Sequence, residues 1–514
     1  MAQTCTIQVP PEYLHEQAFL EKAIARSLKL SPHKLPDWHI LRRSIDARKK
    51  KPLYVLRIEI GDEEATPFQP EWKMVHDAPE VIIAGTGPAG LFAALELIQQ
   101  GVKPILIDRG KAVRARRRDL AALTKEGKVN PDSNYCFGEG GAGTFSDGKL
   151  YTRSLKRGNT ESVLRLLTHF GATEDILIDA HPHIGTNKLP EIIQNMREHI
   201  LACGGEIHFD TRLTGIHVQG GKLRAIEVNG NEKWDCKHLI LATGHSARDI
   251  FRLLVEKNIQ IQAKPFALGV RVEHPQKLID QIQYHQSPRH ENLPAASYSL
   301  VKQVDERGVY SFCMCPGGII CPAATEEGEV VVNGWSPSKR NNPFANSGIV
   351  VQINPEDIPG FDDSPLSAMN LQAKVEQRAF EAGGGKQVAP AQRLMDFLHS
   401  RPSSTLPDCS YIPGLSSVNM KEVLPRHVAH KLRNGFRLFG KQLKGYLTNE
   451  AVIVGVESRT SSPVKILRER ESCMHPEVEG LYPCGEGAGY AGGIMSAALD
   501  GVRCAKAISS TFVS

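Results

Sequence analysis

The sequence predicts an α/β protein built around a parallel, Rossmann-like nucleotide-binding sheet assembled from two distant parts of the chain. Three observations predict it. First, Gly85, Gly87 and Gly90 form a G-x-G-x-x-G turn between a short apolar run, Val81-Ile-Ile-Ala84, and a helix-forming run from Leu91 to Ile98, which is the strand, turn and helix context the motif requires. Second, His238-Leu-Ile-Leu-Ala-Thr-Gly-His245 reads as an apolar strand ending in small residues, and a β-rich stretch separates it from the first motif. Third, the chain ends in a short strand over 481–484, a turn Gly485-Glu-Gly487, a loop through Gly492-Gly493 and an amphipathic helix from Ile494 to about 508,.

Length and composition set the frame. A chain of 514 residues is too long for one core, so two or three domains are expected,. With 41% apolar and 23% charged residues and a net charge of +5, it has the balance of a globular protein, and charge alone does not call for a nucleic-acid or membrane partner,. No apolar stretch approaches the roughly 20 residues that span a bilayer. The first residues also lack the order of a secretory signal, so a cytoplasmic location is expected,. Eleven cysteines without C-x-x-C pairs fit reduced thiols better than a disulfide framework or a zinc site, and no metal is expected,.

Residues 1–76 read as a small α/β module: a strand over 4–9, a helix over 12–28, and strands over 39–45 and 53–60. The last two flank Arg42, Arg43, Arg48, Lys49, Lys50 and Lys51. Such a charge run reads first as a solvated hairpin tip and second as a contact for RNA or another polyanion. A proline-bearing linker over 65–79 follows,.

At the first turn glycine permits a tight bend and close approach of a pyrophosphate, while the new helix offers free N–H groups and the positive end of its dipole. Gly101 caps that helix, and a second strand over 104–107 delivers Asp108, placed to take the adenosine ribose hydroxyls,. A very basic helical segment, 111–118, leads to a loop over 136–149. There Gly138, Gly140 and Gly143 repeat the glycine spacing with no strand before them and no helix after. Gly140, Gly141 and Gly143 with Thr144, Ser146 and Asp147 read instead as a backbone nest around a flat or phosphorylated ligand. A β-rich excursion follows, with strands over 206–209, 215–218, 223–228 and 233–235 and turns at Gly220-Gly221 and Asn229-Gly230,.

These features together resemble the ordered signatures of glutathione-reductase-type FAD-binding domains: Gly85-Thr-Gly-Pro88-Ala89-Gly90 with Asp108-Arg109, then Leu241-Ala-Thr243-Gly244, then Cys484-Gly-Glu-Gly487 before a final helix. More narrowly, Arg42-Arg-Ser-Ile-Asp-Ala-Arg-Lys-Lys50, Phe137-Gly-Glu-Gly-Gly-Ala-Gly-Thr-Phe-Ser-Asp-Gly-Lys-Leu150, Cys313-Met-Cys-Pro-Gly-Gly318 and Glu457-Ser-Arg-Thr-Ser-Ser-Pro-Val464 resemble a largely uncharacterised FAD-dependent dehydrogenase family of bacteria and plastids. The resemblance covers nearly the whole chain. It implies non-covalent FAD and a discontinuous cofactor domain, 77–264 and 451–514, with an α+β substrate domain, 265–450, inserted into it. It further implies that Leu213 presents backbone to the adenine and that Thr243 and Gly244 lie along the dinucleotide. Gly485, Glu486 and Gly487 would hold pyrophosphate and ribityl, and the helix N-terminus at Gly493 and Ile494 would point at the flavin pyrimidine. One departure is Glu486, where many relatives carry aspartate.

For chemistry, Cys313 and Cys315 are two apart, so a regular strand turns both thiols to one side. That suits a redox pair or a flavin adduct, and equally a pair of buried core thiols. His427 and His430 sit one helical turn apart, as a metal or proton site or as an ordinary helix face. Lys149 and Arg459 could hold an anionic substrate or pair with acidic neighbours. The expected activity is hydride transfer between FAD and a small organic substrate, with NAD(P)H as one candidate donor. The alternative is an RNA-acting or interaction flavoprotein using the basic hairpin. Nothing in the sequence sets the oligomeric state.

Overall fold

The computed structural model describes residues 3–61, 68–151 and 158–513. Positions 65–67 of the expected linker lie outside the described residues. At the centre stands a five-stranded sheet in the order Leu481–Pro483, Leu239–Leu241, Glu80–Ala84, Lys103–Ile107, Glu206–His208, with every neighbouring pair parallel. The middle strands are runs of Val, Ile and Leu because a parallel sheet covered on both faces has no solvent side. Ile82, Ile83, Leu106, Leu239 and Leu481 are all buried. The sheet thus joins the two ends of the chain, the final strand entering next to Leu239–Leu241.

The two helices that follow the first and last turns, Pro88–Gln100 and Ile494–Val513, pack on each other. Their approach is set by glycine: a Cβ on Gly501 would stand 2.0 Å from the Ala89 carbonyl oxygen. Gly101 ends the first of these helices in the left-handed conformation, φ 79°, as a C-terminal glycine does.

The excursion is a three-stranded antiparallel sheet, Leu213–Gln219, Lys222–Val228 and Glu232–Asp235. Both hairpin turns, Gly220-Gly221 and Asn229-Gly230, have positive φ at both residues, the turn that matches strand twist. Glu206–His208 does not belong to it, contrary to the expectation from sequence. Preceded by the helix Leu189–Ala202, it completes a crossover and pairs parallel with Lys103–Ile107.

The second domain centres on a seven-stranded sheet in the order Val301–Val304, Arg307–Cys315, Phe344–Ile353, Phe266–Pro275, Val452–Glu457, Ala389–Arg393, Leu415–Ser417. All pairs are antiparallel except the last. Val452–Glu457 lies inside this sheet between Phe266–Pro275 and Ala389–Arg393, so the domain runs past 450, where the sequence boundary stood. That strand is fully buried, and an apolar run carries no mark of which sheet takes it.

The N-terminal module is a three-stranded antiparallel sheet, Gln3–Val9, Leu53–Ile60 and Trp38–Asp46, with the helix Gln17–Leu28. The expected helix start at 12 is instead a separate 3₁₀ turn, Pro11–Tyr13. Ile7, Leu20, Ile24, Leu56 and Ile58 share one continuous core with Phe266, Val270 and Ile349 of the second domain. Tyr54 donates to the Asn292 carbonyl at 2.5 Å, and the Asn292 amide to the Pro11 carbonyl at 2.9 Å. The basic hairpin is partly neutralised by acidic neighbours. Arg43 pairs with Asp179 at 2.7 Å and Asp175 at 2.8 Å, and Arg48 with Asp46 at 2.7 Å. Lys49, Lys50 and Lys51 remain at the exposed tip, which fits the solvated reading. Among the described residues no helix is long and apolar enough to cross a membrane.

Candidate functional site

A cavity opens at the C-terminal ends of the parallel strands, where the three glycine-rich segments converge and the second domain closes the far wall, the position at which open α/β sheets bind ligands. Gly85, Gly87, Pro88 and Ala89 of the first turn line it, as do Gly141, Gly143, Ser146 and Asp147 of the second loop. Leu213, Thr243, Gly244, Glu486, Gly493 and Ile494 line it too. Residues from five separate stretches of the sequence are therefore brought to one surface.

The second loop lies directly on the first turn: the Gly140 amide donates to the Thr86 carbonyl at 2.9 Å, and a Cβ on Gly141 would meet the Gly87 Cα at 3.1 Å. Its short 3₁₀ turn, Gly141–Gly143, opens no longer helix, in keeping with a nest. Two expected ligands sit behind it. Thr144 is fully buried, its hydroxyl donating to the Glu139 carbonyl at 2.6 Å, and Gly140 is held where a Cβ would strike that hydroxyl at 2.0 Å. Both shape the loop from the rear, as does Arg116, buried and donating to the Asn134, Tyr135 and Glu139 carbonyls.

Gly90, Gly485 and Gly487 also serve the frame. A Cβ on Gly90 would lie 1.9 Å from the Gly85 oxygen, and one on Gly487 2.6 Å from the Gly244 oxygen. Gly485 donates its amide to Asp500 at 2.8 Å. Asp500 is gripped in turn by Arg468 at 2.8 Å, so the cationic partner of the Cys484, Asp500 and Cys504 cluster is a guanidinium.

Asp108 borders the cavity, but both its carboxylate oxygens are committed to the loops. Oδ2 accepts the Thr86 amide and hydroxyl, and Oδ1 the amides of Gly110 at 2.9 Å and Gly138 at 3.0 Å. Asp108, expected at the adenosine ribose, thus also braces the glycine segments against each other. Arg109 next to it pairs with Asp249 and lies over the Phe137 ring at 4.7 Å.

Whether the site suits a dinucleotide is tested by its empty space. Added Cβ atoms on Gly244, Gly492 and Gly493 would meet nothing within 4 Å, and the helix Pro88–Gln100 follows Gly87 with no side chain capping its N–H groups. Two bare backbone segments facing one cavity, together with an uncapped helix start, fit a pyrophosphate and a flat ring system.

On the far wall stand Phe312, Cys313 and Asn333 of the second domain. Lys149 reaches across to them, its Nζ 3.8 Å from both Cys313 Sγ and Cys315 Sγ and 3.6 Å from Asp147. Burial alone would lower the Lys149 ammonium, but the two sulfurs and Asp147 raise it to about 12. Arg459 lines the cavity, yet its guanidinium donates to Thr325 at 2.6 Å, Glu376 at 3.0 Å and Glu329 at 3.1 Å. Arg248 grips the same two glutamates at 2.6 and 2.7 Å. This buried quartet joins the helix Arg248–Glu256 to the second domain. His427 and His430 face different aspartates, Asp357 and Asp305, and make no common site.

Sequence reasoning missed His245 and Asn333. His245 follows Gly244 directly, so its place at a strand end was the available signal. It stands 3.6 Å from Glu486, whose other oxygen accepts the Gly493 amide. Burial lowers the His245 imidazole against the opposing pull of Glu486.

Comparison with known proteins gives three family matches. Residues 78–125 match an FAD binding domain, 265–460 a family described as FAD-dependent protein, C-terminal domain-like, and 1–61 a domain of unknown function. An uncharacterized protein of Clostridium beijerinckii is 42% identical over 96% of both chains. Among solved structures, halogenase PltM is similar at 10% identity, covering 85% of this chain and 70% of its own, with a TM-score of 0.38. CtdE in complex with FAD is similar at 11% identity over 84% of each, with a TM-score of 0.32. Structural likenesses this low carry no weight for activity.

Proposed function

Because the chain belongs to the same family as the Clostridium beijerinckii protein and carries an FAD-binding domain, we propose that it is an FAD-dependent oxidoreductase moving a hydride between the cofactor and a small organic substrate. The observation that carries this reading is the composite cavity, with bare glycine backbone on one wall, Phe312 and Cys313 on the other and Lys149 reaching across. FAD, when bound, supplies reversible two-electron acceptance. The chain's residues do the rest.

The first turn and the start of the helix Pro88–Gln100 hold the pyrophosphate, with Arg109 and Leu213 toward the adenosine end. The terminal turn and the N-terminus of the helix Ile494–Val513 take the ribityl and the flavin. The positive end of that helix favours negative charge beside it, which stabilises the cofactor's reduced form. Glu486 and His245 stand where a proton can be held at the imidazole, and Lys149 offers its ammonium to an anionic group of the substrate. In this reading the cofactor domain is of the glutathione-reductase type and the protein works in the cytoplasm.

An anaerobic reduction screen tests the reading. Bleaching of the bound flavin by NADH or NADPH identifies the donor. No bleaching by either removes the nicotinamide part, and a substrate must then be sought among small organic reductants.

A further inference from the structure

The Cys313–Cys315 pair is built in a way that core packing does not require. The strand Arg307–Cys315 slips register against Phe344–Ile353 between Phe312 and Cys315, and Cys313 takes φ 45°. A non-glycine residue pays about 1–2 kcal/mol for that conformation. The bulge brings Cys313 to the cavity wall and leaves Cys315 buried behind it.

The two residues nevertheless stay in contact across the bulge, the Cys315 thiol donating to the Cys313 carbonyl at 3.3 Å. Two cations face them. Lys149 Nζ is equidistant from both sulfurs, and the fully buried Arg271 lies 3.9 Å from Cys315 Sγ while donating to the Cys313 carbonyl at 3.2 Å. Arg271 is itself oriented by Glu457 at 2.8 Å and Asn346 at 2.6 Å. The neighbouring Cys315 thiol, aided by Lys149 and Arg271, holds the Cys313 thiol well below its usual value against burial. Cys321, buried nearby in the same domain, is pushed up by burial. Positive charge beside a thiol stabilises the thiolate, the form that attacks another sulfur or an electrophile.

Resting on the FAD reading above, we propose that Cys313 and Cys315 are a redox-active pair that exchanges two electrons with the FAD in this cavity. In the oxidising direction a sulfur–sulfur bond forms between Cys313 and Cys315, and the Cys315 S–H bond breaks. The electron pair and that proton pass to FAD, which is the oxidant and becomes reduced. The reverse step opens the disulfide. The pair thereby gives the enzyme a route to substrates of the thiol or disulfide class.

The test uses the holoprotein as purified, oxidised with a mild thiol oxidant, freed of excess reagent and made anaerobic. Alkylation and mass measurement of the peptide spanning both cysteines is expected to find it two hydrogens lighter and unalkylated. Dithionite titration is expected to consume two equivalents per bound FAD, falling to one in Cys315→Ser and in Cys313→Ser. One equivalent in the oxidised wild type, or full alkylation of both thiols, overturns the proposal while leaving the FAD reading intact. Absence of FAD from the purified protein overturns both.

Discussion

Asp108 Oδ2 accepts the Thr86 amide at 2.9 Å and the Thr86 hydroxyl at 2.6 Å, so the acid at the end of the second strand is turned onto the first glycine turn. Its other oxygen holds Gly110 and Gly138. One buried carboxylate therefore fixes the first turn and the second loop relative to each other. Asp108→Asn keeps the volume but cannot accept four donors. It is expected to lower stability by about 1.5–3 kcal/mol and to weaken FAD retention with it, read by chemical denaturation and flavin absorbance. Weakened FAD with unchanged stability would favour a direct ribose contact instead.

Two glycines separate frame from ligand space. Gly90→Ala drives a Cβ to 1.9 Å from the Gly85 oxygen, whereas Gly492→Ala enters open space. The first should destabilise the fold by about 1–3 kcal/mol or more and abolish FAD binding. The second should leave the denaturation midpoint unchanged and lower FAD affinity alone. Equal effects on stability would contradict the placing of Gly492 at the cofactor.

Alkylation of Cys313 should respond to pH as a thiolate of lowered pKa does, reaching half its maximal rate below the ordinary value of 9.0,. Removing a cation raises a thiol pKa, so Lys149→Met should shift the midpoint upward. Stopped-flow alkylation of the Cys315→Ser background, with and without Lys149→Met, isolates the Lys149 share. A midpoint that does not move would leave Lys149 without that role.

Burial would raise the Asp147 carboxyl, but Lys149 and Arg340 hold it at about 2, below its ordinary 3.8. A carboxylate with a depressed folded pKa adds stability above the unfolded value and loses it as pH falls through the folded one. Arg340 pairs with Asp147 at 2.8 Å. Arg340→Met should therefore be less stable than wild type at neutral pH by about 1–2 kcal/mol. The gap should narrow as pH falls from 3.8 toward 2. Urea denaturation across that range reads it, and a gap independent of pH would assign the effect to packing.

Much of the nucleotide sheet is legible in the sequence because its middle strands are Val-, Ile- and Leu-rich runs, and glycine follows Ala84 directly and Leu241 within three residues. What escapes is set by tertiary pairing. The edge strand Glu206–His208 is short and half-buried, so its pattern does not separate it from the antiparallel excursion beyond it. Val452–Glu457 carries no sign of the sheet that claims it. The direction in which Asp108 points depends on Thr86, Gly110 and Gly138 meeting in space. Likewise the Arg248, Glu329, Glu376 and Arg459 quartet joins residues up to 211 positions apart. The proximity of Lys149 to Cys313 is of the same kind: each stood out by its neighbours in sequence, and only the fold makes them partners.

The central claim is that three glycine segments from both ends of the chain bind one FAD. It is tested most directly by releasing the cofactor from purified protein with denaturant and measuring its identity and amount by chromatography. One FAD per chain in the wild type and none in Gly90→Ala is the expected result. FMN, a covalently retained flavin, or no flavin after reconstitution with FAD would contradict it.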